Sequence, residues 1–204
     1  MSTTYPSTPD PAVRIAVIGD VHERWDAVDV STIDALGYQL VLFTGDLADR
    51  MHRRTLDVAR RIAPLATPAV LIPGNHDATT PLGVLAEALG RLRTRPGQAG
   101  RHAKRLRALR DALGPVSVGG YSLHPVPPVG ATDPAITVIA ARPHAMDGRR
   151  VTFPHAVGVA DLDASAARLR ALVDAAPGAL VFVAHNGPNG LGADRAARVG
   201  GRTA

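Results

Sequence analysis

The chain has 204 residues, 46% hydrophobic and 20% charged, a composition that supports one ordinary domain with a real core and excludes a disordered chain. It contains no cysteine, which excludes disulfides, thiolate metal sites and a cysteine nucleophile and leaves His, Asp, Glu, Asn and water as the only metal ligands to consider. The net charge of +5 is local, because residues 91–110 carry seven Arg and the single Lys while the rest of the chain sums to −3; the basicity is a block, and overall charge is a weak argument for a nucleic-acid partner.

Residues 1–12 are Ser/Thr/Pro-rich and lack the charged-then-apolar pattern of a signal peptide. They read as a flexible tail before a cytoplasmic domain. No membrane span is expected, since no run approaches the roughly 20 apolar residues one requires. Val13–Ile18 predicts a first strand ending at Gly19-Asp20, and Ala27–Leu36 a helix closed by Gly37. Leu40–Phe43, short, bulky and apolar, predicts a buried strand that breaks at Gly45, where a glycine lets the backbone turn sharply into Asp46. Arg54–Ile62 has helical spacing up to Pro64, and Ala69–Ile72 is a third buried strand ending in Pro73-Gly74-Asn75-His76-Asp77. Thr80-Pro81 is suited to starting a helix over Leu82–Leu89.

Arg91–Gly100 reads as a polar loop and His102–Leu113 as a basic amphipathic helix, apolar at Leu106, Leu109 and Leu113. Short strands are expected at Val116–Val118, Tyr121–Leu123 and Ile136–Ile139, with a Pro-rich loop over His124–Pro134. Asp163–Ala175 predicts a helix with Ala167, Leu169, Leu172 and Val173 on one face. Ala179–Val183 is a last buried strand, terminating in Ala184-His185-Asn186-Gly187-Pro188. Strand, polar motif and helix recur three times in succession, which argues for an α/β domain. Parallel strands would bring those motifs to one end of the sheet, where ligands collect.

Each motif carries a metal-competent residue. Asp20 and His22 lie two apart, on one side of an extended segment, and suit a first-row divalent ion; a turn aspartate and a surface histidine would look the same. Asp46 and Asp49 crowd two carboxylates beside Arg50, an arrangement made favourable by nearby cations. Helix capping at Ala48 is the competing account. Asn75 offers an amide oxygen, and His76 beside it is suited to general acid catalysis. His185 repeats the theme at the last strand end. His102, His124, His144 and His155 read as surface or loop histidines.

Taken together, Gly19-Asp20-Val21-His22, Gly45-Asp46-Leu47-Ala48-Asp49-Arg50, Gly74-Asn75-His76-Asp77 and His185 resemble the motifs of the calcineurin-like metallophosphoesterase superfamily. The resemblance spans roughly residues 13–192 and leaves 193–204 as a second tail. It implies a four-layer α/β/β/α sandwich and two divalent ions of the Mn, Fe or Zn class. Asp20 and His22 would hold the first ion, Asp46 would bridge, and Asn75 and His185 would hold the second. His76, oriented by Asp49, would protonate the leaving group, and Arg50 would touch a phosphoryl oxygen. The implied reaction is hydrolysis of a phosphomonoester or phosphodiester by a hydroxide activated between two cations. The superfamily's final Gly-His-x-His motif does not occur in this sequence. That implies a fold incomplete at its C-terminal end, with weak metal affinity and low or absent phosphoesterase activity. The alternative is a catalytically inactive remnant that binds a partner or nucleic acid through residues 91–110.

Overall fold

The computed structural model describes residues 13–49, 52–74, 77, 98–141, 145–146, 150–151 and 162–185. Its centre is β2 (Leu40–Phe43), buried on both sides, as expected of a strand inside a parallel sheet. β1 (Ile15–Ile18) and β3 (Ala69–Leu71) flank it in parallel, with Ile18↔Phe43 and Phe43↔Leu71 in register. β4 (Ser117–Val118) adds a parallel fourth strand against Val70–Leu71. Because all four run the same way, the segments leaving β1, β2 and β3 emerge at one edge.

The two-residue alternation of a strand divides β2 between two cores. Val41 and Phe43 join Ala69 and Leu71 against helices α2 (His52–Ile62) and α3 (Gln98–Leu113), which contribute Val58, Ala59, Ile62, Leu106, Leu109 and Leu113. Trp25 closes this layer edge-on to Phe43, with ring centroids 5.2 Å apart. Leu40 and Leu42 face the other way, with Val70 and Ile72, onto Val126, Val138, Ala140 and Val183 of a second sheet. Burying a side chain such as Phe43 or Leu42 in this way contributes about 1.5–3 kcal/mol. The second sheet runs β5 (Ser122–Val126), β6 (Ile136–Ala140), then, after a small hairpin of β7 (Ala145–Met146) and β8 (Arg150–Val151), β9 (Ala179–Val183). β5 is antiparallel and β9 parallel to β6. On its far side α4 (Leu162–Ala175) packs Leu169 and Leu172 on Tyr121. Helices, sheet, sheet and helix form the four expected layers.

α1 (Ala27–Ala35) follows its sequence signals closely. Asp26 caps it by accepting from the Val28 and Asp29 amides, the Asp29 side chain accepts in return from the Asp26 amide, and Gly37 leaves it at φ 66°.

Several expectations need correction. α3 begins at Gln98, inside the segment read as loop. β5 continues through His124, Pro125 and Val126, where a Pro-rich loop was expected; as an edge strand bonded to β6 alone among the described strands, it tolerates a residue with no N–H to donate. His124 is accordingly half-buried in a strand, with Nε2 2.8 Å from Ser122 Oγ. α4 turns Ser165, Leu169 and Leu172 inward, while Ala167 and Val173 are exposed. Ser165 is tolerated there because its hydroxyl meets Tyr121 OH at 2.7 Å. β9 is buried on one side only, with Phe182 55% exposed. The predicted helix over 82–89, the loop residues 91–97, the tails 1–12 and 193–204, and His144 and His155 lie outside the described residues.

Candidate metal centre

Main-chain pairing continues past the ends of the strands and draws their tips together. The Thr44 amide donates to the Ile18 carbonyl (2.9 Å) and the Ile72 amide to that of Phe43 (2.8 Å). Beyond this point the chains are too close for side chains at two positions. A Cβ on Gly45, which sits at φ 97°, would strike the backbone of Gly74. A Cβ on Gly74 would strike the Asp46 carboxylate and lie 2.7 Å from the His185 ring. These glycines are needed because two strand tips and an imidazole share one small space.

Of the five non-glycine residues with positive φ among those described, four are Asp20 (49°), His22 (45°), Glu23 (67°) and Asp46 (54°). Left-handed backbone costs such residues about 1–3 kcal/mol each and gathers at functional sites. Here it is held by bonds between the two loops, from the His22 amide to the Asp46 carbonyl (3.3 Å) and from the Glu23 amide to that of Leu47 (2.8 Å). Asp46 therefore does not cap a helix at Ala48, since among the described residues the next helix starts at His52.

Asp77 secures this geometry. Its buried carboxylate accepts from the amides of Asp46 (2.9 Å), Leu47 (2.8 Å) and Gly74 (2.8 Å). Burial pushes the carboxyl above its ordinary range, with the charge of Asp46 adding to the rise and the three amides opposing it. Asp77 ends the Gly74-Asn75-His76-Asp77 motif, and no role was expected of it. The available signal was local, since an aspartate just after a turn glycine commonly bonds main-chain amides.

His185 arrives from the second sheet. Its Nδ1 lies 2.7 Å from the Thr44 carbonyl, which can only accept, so Nδ1 carries the hydrogen. In the neutral ring that leaves Nε2 with the lone pair, and Nε2 stands 3.6 Å from Asp46 Oδ2. Two ligands of a tetrahedral ion are separated by about 3.4 Å, given metal–ligand bonds near 2.1 Å. One oxygen and one nitrogen at nearly that spacing, beside a glycine that leaves the space open, fit a divalent first-row ion.

The other expected residues fall as follows. Asp20 is exposed at the end of β1. The half-buried His22 pairs through Nδ1 with the Asp49 carboxylate; His76, the expected partner of Asp49, lies outside the described residues. Arg50 and Asn75 also lie outside them. Among the described residues no three His, Asp or Glu side chains form a group able to hold an ion; the pair drawn together is Asp46 and His185. None of the described helices is long and apolar enough to cross a membrane.

The profile of calcineurin-like phosphoesterases matches residues 13–192. The crystal structure of TT1561 of Thermus thermophilus is similar, with a TM-score of 0.55 and 14% identity over 89% of this chain and 71% of that one. A second solved structure has a TM-score of 0.50 and 12% identity, over 87% of this chain and 70% of the other. At such identities the likeness is one of fold. No curated protein matches.

Proposed function

The chain belongs to the calcineurin-like phosphoesterase family, and from that membership we propose that it hydrolyses a phosphomonoester or phosphodiester with two divalent ions of the Mn, Fe or Zn class. Asp20, His22, Asp46, Asn75 and His185 would hold them. The observation that carries this reading is the approach of His185 Nε2 to Asp46 Oδ2 at 3.6 Å, made across two sheets at a spacing longer than a hydrogen bond. The chemistry such ions supply when bound is polarisation of phosphoryl oxygens and acidification of a water.

The chain's own residues do the rest. The Thr44 carbonyl holds the His185 ring with its lone pair turned to Asp46, as outer partners of ligating histidines do. The Asp49 carboxylate lies against His22 Nδ1. Arg50 would balance charge on a phosphoryl oxygen, and His76, protonated, would give its proton to the departing oxygen. The test is hydrolysis of p-nitrophenyl phosphate and bis-p-nitrophenyl phosphate with added Mn²⁺. Turnover should vanish with EDTA and return with excess Mn²⁺; turnover indifferent to chelation would refute the reading.

One observation favours a second reading, binding of a polyanion such as nucleic acid without turnover. Arg53, Lys104, Arg107 and Arg110 stand exposed on α2 and α3. Their neighbours are engaged: Arg54 pairs with Glu23, Arg60 with Asp57, and Arg61 donates to the Trp25 carbonyl. Binding through phosphate contacts would weaken with salt at a slope of about −0.9 per contact on duplex DNA. Replacing Arg53, Lys104 and Arg107 by Glu should flatten that slope and abolish binding at moderate salt. Wild-type protein that fails to retain DNA even at low salt would end this reading.

A further inference from the structure

His52, the first residue of α2, has no part in the chemistry above, yet it touches the structure that supports it. Its Nδ1 lies 2.8 Å from the Asp77 carbonyl. A carbonyl accepts only, so Nδ1 is the protonated nitrogen. Nε2 is buried and has no hydrogen-bond partner among the described residues. Burial draws the ring's pKa below the ordinary histidine value; the Asp77 carbonyl opposes this and the charge of Arg105 reinforces it. A buried nitrogen without a partner is a cost, and a native structure keeps such a group where it serves another purpose.

That purpose is visible in Asp77, which is gripped from both ends. Its carboxylate holds the Asp46, Leu47 and Gly74 amides, and its carbonyl is held by His52. The carboxylate can reach all three amides only while its main chain stays in place. One of those amides belongs to Asp46, whose Oδ2 faces His185. A continuous chain of contacts therefore runs from the start of α2 to the carboxylate of the proposed centre.

We propose that His52 is a positioning residue, whose Nδ1–H fixes the main chain at Asp77 and thereby aims the Asp46 carboxylate at His185. Its importance for turnover rests on the phosphoesterase reading; its action on the loops does not.

Three variants separate this from a general packing role. Asn can place an N–H where His presents Nδ1, Gln presents one only at the Nε2 position, and Leu presents none. Amide hydrogen exchange at Asp46, Leu47 and Gly74, read by NMR without metal, should quicken about five- to tenfold in His52→Leu and His52→Gln and stay near wild type in His52→Asn. Mn²⁺ affinity measured by calorimetry should fall about 10–100-fold in the same two variants and recover in the Asn variant. Unchanged exchange in His52→Leu, or equal exchange in the Asn and Gln variants, would overturn the proposal. Wild-type protein that binds no Mn²⁺, or binds it without turnover, would count against the phosphoesterase reading, while the exchange measurement still decides the role of His52.

Discussion

Asp46→Asn is expected to reduce Mn²⁺-dependent hydrolysis of an aryl phosphate by more than about 100-fold, the upper end of what losing even an outer partner of a metal ligand costs. The reason is local. Asp46 Oδ2 faces His185 Nε2 at 3.6 Å, and with the ring neutral both atoms offer lone pairs. An amide nitrogen in place of that oxygen would donate to Nε2 and close the gap. Stability should hold or rise, because the charge of Asp46 presses on the buried Asp77 carboxylate and the substitution removes it. Turnover assays beside a thermal melt check both halves. A variant that keeps most of its activity, or one that loses activity only by unfolding, would contradict the assignment of Asp46.

Asp77→Ala should have the largest effect on stability, lowering it by about 3–5 kcal/mol. Three buried amides, those of Asp46, Leu47 and Gly74, lose their acceptor together, and each unsatisfied donor costs about 1–3 kcal/mol. Water entering the vacated space would keep the sum near the lower end. Asp77→Asn should fall between Ala and wild type, since one oxygen still accepts while the new NH₂ faces a donor. Urea denaturation of the three proteins gives the comparison. An Ala variant within about 1 kcal/mol of wild type would show that the strand tips are held by something else.

The elements most legible from residue order were those whose cause is local. Leu40–Phe43 and Ala179–Val183 end where expected because short apolar runs meet turn-forming residues on both sides. Gly37 closes α1 as expected, leaving it at φ 66° through bonds that depend only on its near neighbours. Strand, motif and helix in alternation sufficed for parallel pairing, and hence for the motifs sharing one edge of the sheet.

Contacts between distant residues were not legible. Pro125 looks like a strand breaker until β5 is known to pair with β6 alone among the described strands. The inward face of α4 depends on a hydroxyl of Tyr121 lying far away in the chain. The Asp46 and Leu47 amides on Asp77 and the carbonyl held by His52 join segments that no spacing rule connects.

Side-chain identity and order along the chain were enough to establish the family, the α/β layers and a pool of nitrogen and oxygen donors at strand ends. Which of those donors face each other was settled by the packing of two sheets. The interlocking of Leu42 and Ile72 with Val138 and Val183 sets the depth at which His185 meets Thr44 and Asp46, and that depth is a property of the whole core that no single segment carries.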